Sequence, residues 1–261
     1  MRSIALAILA GAVAATAACA ADNRYGAPPA DLGRHLARLK DAYPDVIRSI
    51  EGTRLVLKSG AELAISDGRT DKSFDELLDH PDIDDMFALP YPAHSRPAAP
   101  QVDSDPGRVR VEALFRAIYG DCRTGGVRAK LRRVSWFGGS VLFTTRNGAD
   151  RALEAVARDL SALPQPMRKY LTPSAGTYNC RVIAGTDRLS MHAYGASIDL
   201  NTKYANYWRW SKAGKDGRYA WTNRIPWEIV DVFERHGFVW GGRWYHFDTM
   251  HFEYRPELLA R

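Results

Sequence analysis

Cysteine is scarce in this 261-residue chain, with three in all, which excludes a small scaffold stapled by many disulfides. Long apolar runs are equally rare. The one candidate, Ile4 to Ala18, is too short to cross a bilayer comfortably. Preceded by Arg2 and followed by small residues through Ala21, it has the shape of a secretory leader. Blocks of like charge are missing too. The formal net charge of +6 suits a polyanion, but the lysines and arginines are scattered and an anionic wall polymer or a membrane surface fits as well as nucleic acid, so no nucleic-acid partner is expected.

The leader is expected to end after Ala20, with Ala18 and Ala20 at the small-residue positions of a cleavage site. Lipid attachment at Cys19 ranks second, because Thr16 stands where that signal wants a larger aliphatic side chain. Once residues 1–20 are removed, Cys122 and Cys180 remain, and an even pair in an exported chain reads as one disulfide. Two separate buried thiols are the alternative. The mature protein is expected in the periplasm or cell envelope as a monomer, with no stable membrane insertion.

What the chain does have is an ordinary globular composition, 46% hydrophobic and 25% charged, enough for a sizeable core. Residues 21–104 read as an N-terminal α/β extension. Leu32, Leu36 and Leu39 repeat at helical spacing, and residues 54–60 and 61–66 alternate like strands. The acidic segment 74–87, with His80, reads as a solvated surface, and the proline-rich segment 91–107, with His94, as a linker. Residues 105–261 form the second region. Asp105 and Pro106 are expected to cap a helix carrying Val111, Leu114, Phe115 and Ile118 that stops at Gly120. A hairpin over 131–146 follows, then a helix lined by Leu153, Val156, Leu160 and Leu163 that Pro164 ends. Another helix starts at Pro226, buries Ile229, Val232 and Phe233, and leaves His236 at its C-terminal end before Gly237.

Titratable chemistry concentrates in two short stretches, SMHAYGASIDLN (190–201) and DTMHFEY (248–254). Between them they offer His192, Asp199, Asp248 and His251. Two imidazoles and a carboxylate are the ligand set of a catalytic zinc with an open position, and a spare carboxylate is what hydrolysis by water needs. Asp199 reads as a strand residue; seven positions apart on a straight strand, it and His192 face opposite ways. They can meet only if the chain bends between them, and Gly195 supplies the bend. In the second stretch His251, Glu253 and Arg255 share the polar face of a strand, with Asp248 in the turn before it.

HAYGASID followed by DTMH resembles the HxxGxAxD and (D/E)xxH pair of the M15 zinc peptidases, the D-alanyl-D-alanine carboxypeptidase and peptidoglycan endopeptidase family. The resemblance extends through TYNCRVIAGTDRLS and the tail WGGRWYHFDTMHFEYRPELL, covering roughly Asp105 to the C-terminus, with Ser197 where the short pattern usually has alanine. It implies Zn2+ held by His192, Asp199 and His251, with Asp248 as general base and Arg181 pointing toward the bound peptide. His246 is the rival ligand and Arg188 the rival arginine. Ser190 and Asn201 are expected to shape the ligand loop by hydrogen bonds. Six of the seven tryptophans fall between Trp208 and Trp244; Trp208 and Trp210 are assigned to a groove rim and the others to the core. The expected fold is α+β, a small antiparallel sheet flanked by helices with the zinc on one sheet face. The expected substrate is a peptidoglycan stem peptide, cut as a D-alanyl-D-alanine carboxypeptidase. An endopeptidase cutting L-Ala–D-Glu or a cross-bridge is the alternative within the family, and a non-catalytic wall-binding module the alternative outside it.

Overall fold

The computed structural model describes residues 24–96 and 99–259; the expected leader and Cys19 lie outside them. Among the described residues no helix is long and apolar enough to cross a membrane. The architecture is α+β, with helices set around three small antiparallel sheets. Helix α1 (Leu32–Ala42) turns Leu36 and Leu39 inward, as their spacing predicts. Strands β1 (Ile47–Glu51), β2 (Arg54–Leu57) and β3 (Glu62–Ala64) pair in sequence order. Helix α2 (Phe74–Asp79) opens on a capping box in which Ser73 and Glu76 satisfy each other's backbone N–H.

The acidic segment departs from the solvated surface expected of it. His80 is exposed, but Asp84 and Asp85 are 2% and 1% exposed. For Asp85 the reason is non-local: buried Lys72 places its ammonium 2.5 Å from it and 3.4 Å from Asp82, so these two carboxylates are drawn to a counter-charge. The cap expected at Asp105 also fails. Helix α3 (Glu112–Tyr119) starts at Glu112 and stops at Gly120. Asp105 is fully buried, bonded to Arg108 at 2.8 Å and to the backbone N–H and Nδ1 of His246, each at 3.0 Å. His94 is not idle either, since its backbone N–H donates to Glu234 at 2.8 Å.

Strands β4 (Leu131–Trp136) and β5 (Gly139–Thr144) form the predicted hairpin around Phe137 and Gly138. Helix α4 (Ala149–Ser161) buries Leu153, Val156 and Leu160, and short α5 (Arg168–Leu171) follows. The third sheet has the order β6 (Ser197–Asp199), β8 (His251–Tyr254), β7 (Phe238–Trp240), all antiparallel, with α6 (Trp227–Arg235) leading into β7. One hydrophobic cluster joins α1, β1 and β2 to α3 and to Met191 and Tyr194. A second gathers α4, α6 and Ile198, Phe238 and Phe252 of the third sheet, with Phe252 stacked on Phe233 at 3.9 Å. Cys122 and Cys180 are bridged, tying the turn after α3 to the segment that leads into the 190–201 stretch. Closing a loop of that length contributes about 4 kcal/mol in the chain-entropy account.

Candidate metal centre

The expected bend is built as a short 3₁₀ turn, Met191–Tyr194, that ends at Gly195. The Ser190 hydroxyl caps its start by accepting from the N–H of His192 at 3.3 Å. Gly195 has φ +65°, which favours glycine, and a Cβ there would lie 2.5 Å from a methyl of Leu131, so a larger residue would also require that side chain to shift. The turn brings His192 back over β6. The antiparallel register then sets Asp199 directly opposite His251, which places the two side chains on one face. Beyond β6, the Asn201 amide donates to the carbonyls of Lys169 and Thr172 at 2.8 and 2.6 Å, pinning the strand end to α5.

Three atoms converge as a result. His192 Nε2 is 3.2 Å from His251 Nδ1 and 3.1 Å from Asp199 Oδ2, and His251 Nδ1 is 2.8 Å from Asp199 Oδ1. A tetrahedral ion with bonds near 2.0–2.1 Å sets its ligands about 3.3 Å apart, so the triangle is close to that size. The remaining nitrogens are held from behind. His192 Nδ1 donates to the Thr177 carbonyl at 2.7 Å, and His251 Nε2 donates to Glu253 at 3.0 Å. Both arrangements fix the tautomer that turns a lone pair toward the shared point. Both histidines are buried, and the His–Asp–His group could hold a metal ion.

The electrostatics ask for positive charge at the same point. Burial opposes a charged imidazole at His251, yet its bonds to Asp199 and Glu253 prevail and lift its pKa to about 10. Burial likewise opposes the Asp199 carboxylate, but the two histidines hold it well below the usual range. Behind them Glu253 is held at about 2, against burial, by Arg110, His251 and Arg255. Arg110 lies 3.4 Å from Glu253 and donates to the Leu189 carbonyl at 3.1 Å, which ties this backing to the ligand loop.

Asp248 lies on the turn before β8, half-buried, and its Oδ1 has no hydrogen-bond partner among the described residues. It does not join the converging group, but it lines the same cleft. Burial and the Asp199 charge raise its pKa to about 7. Arg181 is exposed, its guanidinium donates to the Val182 carbonyl at 3.3 Å, and it lines this cleft together with Arg108 and Arg209. Arg188 instead faces Asp79 at 3.0 Å in a neighbouring hollow. His246 is committed to Asp105 and packs against Trp208 at 4.8 Å, at the cleft edge. Trp210 is 61% exposed and Trp208 half-buried, while Trp240 and Trp244 are buried and Trp221 and Trp227 partly so. Sequence reasoning missed Thr177 and Arg110, for which no local signal exists. Glu253 was visible as a polar-face neighbour of His251 but had no assigned role.

Residues 184–254 match the family model described as D-alanyl-D-alanine carboxypeptidase. The matched residues lie within the stretch, roughly Asp105 to the C-terminus, over which the M15 resemblance is read. His192, Asp199, Asp248 and His251 fall inside the match, and Arg181 outside. No match was found among curated proteins or among solved structures. The family match supports a peptidase.

Proposed function

We propose that the protein is a zinc peptidase that cuts peptidoglycan stem peptides outside the cytoplasm, as a D-alanyl-D-alanine carboxypeptidase. The observation that carries the reading is the convergence of three metal-binding atoms whose opposite nitrogens are already occupied by Thr177 and Glu253. His192, Asp199 and His251 would hold a zinc ion, which would supply a water of lowered pKa and a Lewis acid for the scissile carbonyl. Asp248 accepts the proton of the attacking water and returns it to the leaving amine; a carboxyl raised toward neutrality suits both transfers. Arg181 grips the substrate's terminal carboxylate or the developing oxyanion, with Arg108 and Arg209 adding positive charge to the same cleft. Trp208 packs on His246 and Trp210 on Tyr207, two residues that line the cleft with Trp244; these rings supply apolar surface for the peptide at and beside it.

The test is digestion of purified muropeptides followed by mass spectrometry. The proposal expects loss of one alanine from pentapeptide stems and sharply reduced turnover when the terminal carboxylate is amidated. Equal cutting of free and amidated substrates, or cleavage inside the stem, points instead to an endopeptidase. No cleavage by zinc-loaded protein refutes the enzyme reading.

A further inference from the structure

Lys72 and its carboxylates lie outside the metal centre, and their bonding is lopsided. The ammonium reaches the Oδ2 atoms of Asp67, Asp82 and Asp85 at 2.9, 3.4 and 2.5 Å. Backbone N–H groups use the same side: Asp67 donates to Asp82 Oδ2 at 2.5 Å, and Asp82 donates to Asp85 Oδ2 at 3.1 Å. The opposite oxygens, Oδ1 of Asp82 and of Asp85, are buried with no hydrogen-bond partner. Asp84 is more extreme. It is 2% exposed, neither carboxylate oxygen meets a donor in good hydrogen-bond geometry although Ser66 and Asp82 are near enough to act on it, and it forms no ion pair with Lys72. One oxygen from each of Asp82, Asp84 and Asp85 lies within 4.8 Å of the others.

Three largely buried carboxylates, Asp82, Asp84 and Asp85, set against one ammonium leave an excess of about two negative charges, while Asp67 is 40% exposed; such an excess is costly without a further cation or proton. We propose that Asp82, Asp84 and Asp85 bind a calcium ion through these unpartnered oxygens, on the side of the cluster away from Lys72. Carboxylate oxygens with no nitrogen or sulfur donor favour a hard cation over zinc, and calcium bonds of about 2.3–2.6 Å span a group of this spread. The backbone N–H of Asp84 donates to the Ile65 carbonyl at 2.9 Å. The ion would therefore fasten the turn 84–87 to the end of the first sheet, next to α2, whose Phe74 stacks on His246 at 5.7 Å.

The experiment uses protein stripped with a chelator and reloaded with one equivalent of zinc. Calcium chloride is then added, with calorimetry and thermal melting as readouts. The proposal expects one calcium per chain and a melting point raised by about 5 °C or more at saturation, with sodium chloride of matched ionic strength giving no such rise. Asp84→Asn should keep its circular dichroism but bind calcium at least tenfold more weakly; if that variant does not fold, Asp82→Asn carries the comparison. A silent titration overturns the proposal, and so does a variant that binds calcium as tightly as the parent. A silent titration with Asp84→Asn melting above the parent would identify Asp84 as a carboxyl holding a proton, in line with the pKa of about 7 that burial and Asp82 impose on it.

Discussion

Glu253 and Asp248 flank His251 in sequence but act on it differently. Glu253 accepts from His251 Nε2 and is clamped by Arg110, so its task is to aim the imidazole. Glu253→Gln should weaken zinc binding by about 10- to 100-fold, the usual cost of losing such a partner. His246→Ala should leave zinc content unchanged, because that ring is spent on Asp105. Competition with a chromogenic chelator measures both; zinc loss in His246→Ala with retention in His251→Ala would show the wrong histidine was chosen. Asp248→Asn keeps shape and removes basicity. Zinc content and melting point should stay at parental values while turnover falls by at least ~100-fold. Since Asp248 must be unprotonated to accept a proton, activity rises with pH through its pKa. That value is about 7, and a cation at the His–Asp–His group can only lower it. The acid limb of kcat/KM is thus expected at or below pH 7, and a limb well above 7 would rule Asp248 out as its source.

Among the secondary-structure elements, β6 and β8 do most to assemble the centre. Their register pairs Asp199 with His251, and a slip of one residue would turn every side chain to the other face. The third ligand depends on the turn ending at Gly195. Gly195→Ala meets both a positive φ and the Leu131 methyl at 2.5 Å. It should cost on the order of 1–3 kcal/mol of stability and loosen zinc binding, because the turn lies between two ligands. Urea denaturation and metal competition on the same sample test this. An alanine variant with parental stability and affinity would show that the turn relaxes freely.

Across the whole molecule, the three proposed ligands bridge two cores. His192 sits in a loop packed with the first hydrophobic cluster, whereas Asp199 and His251 belong to the sheet that backs the second. Buried carboxylates near this seam make stability depend on acid. Glu253 is held at about 2, and Asp105 below its ordinary value against burial by His246 and Arg108. Carboxyls depressed in the folded state add stability above their unfolded pKa, near 4, and lose it as pH falls toward the folded value. Chelator-treated protein should therefore lose stability between about pH 4.5 and 2, with Glu253 alone accounting for on the order of 3 kcal/mol. Glu253→Gln should flatten that slope in urea titrations at successive pH values; an unchanged slope would place the acid sensitivity elsewhere.

Local pattern was enough for much of this protein. The apolar spacing of α1, α4 and α6, the hairpin at Phe137 and Gly138, the bend at Gly195 and the histidine–aspartate pairs of 190–201 and 248–254 all depend on neighbours a few residues apart. So does the expectation of an α+β fold. Tertiary structure alone decided what faces those residues. Thr177, which aims His192, lies fifteen positions from it, and Arg110, which clamps Glu253, lies 143 positions away, so neither left a local trace, whereas Glu253 stands two residues from the His251 it aims. The same reason explains Asp105, whose cap-like setting gave way to His246 far along the chain, and Asp85, which looks solvated until Lys72 is buried beside it. Charge and periodicity are properties of a segment, but burial of a charge depends on what arrives opposite it.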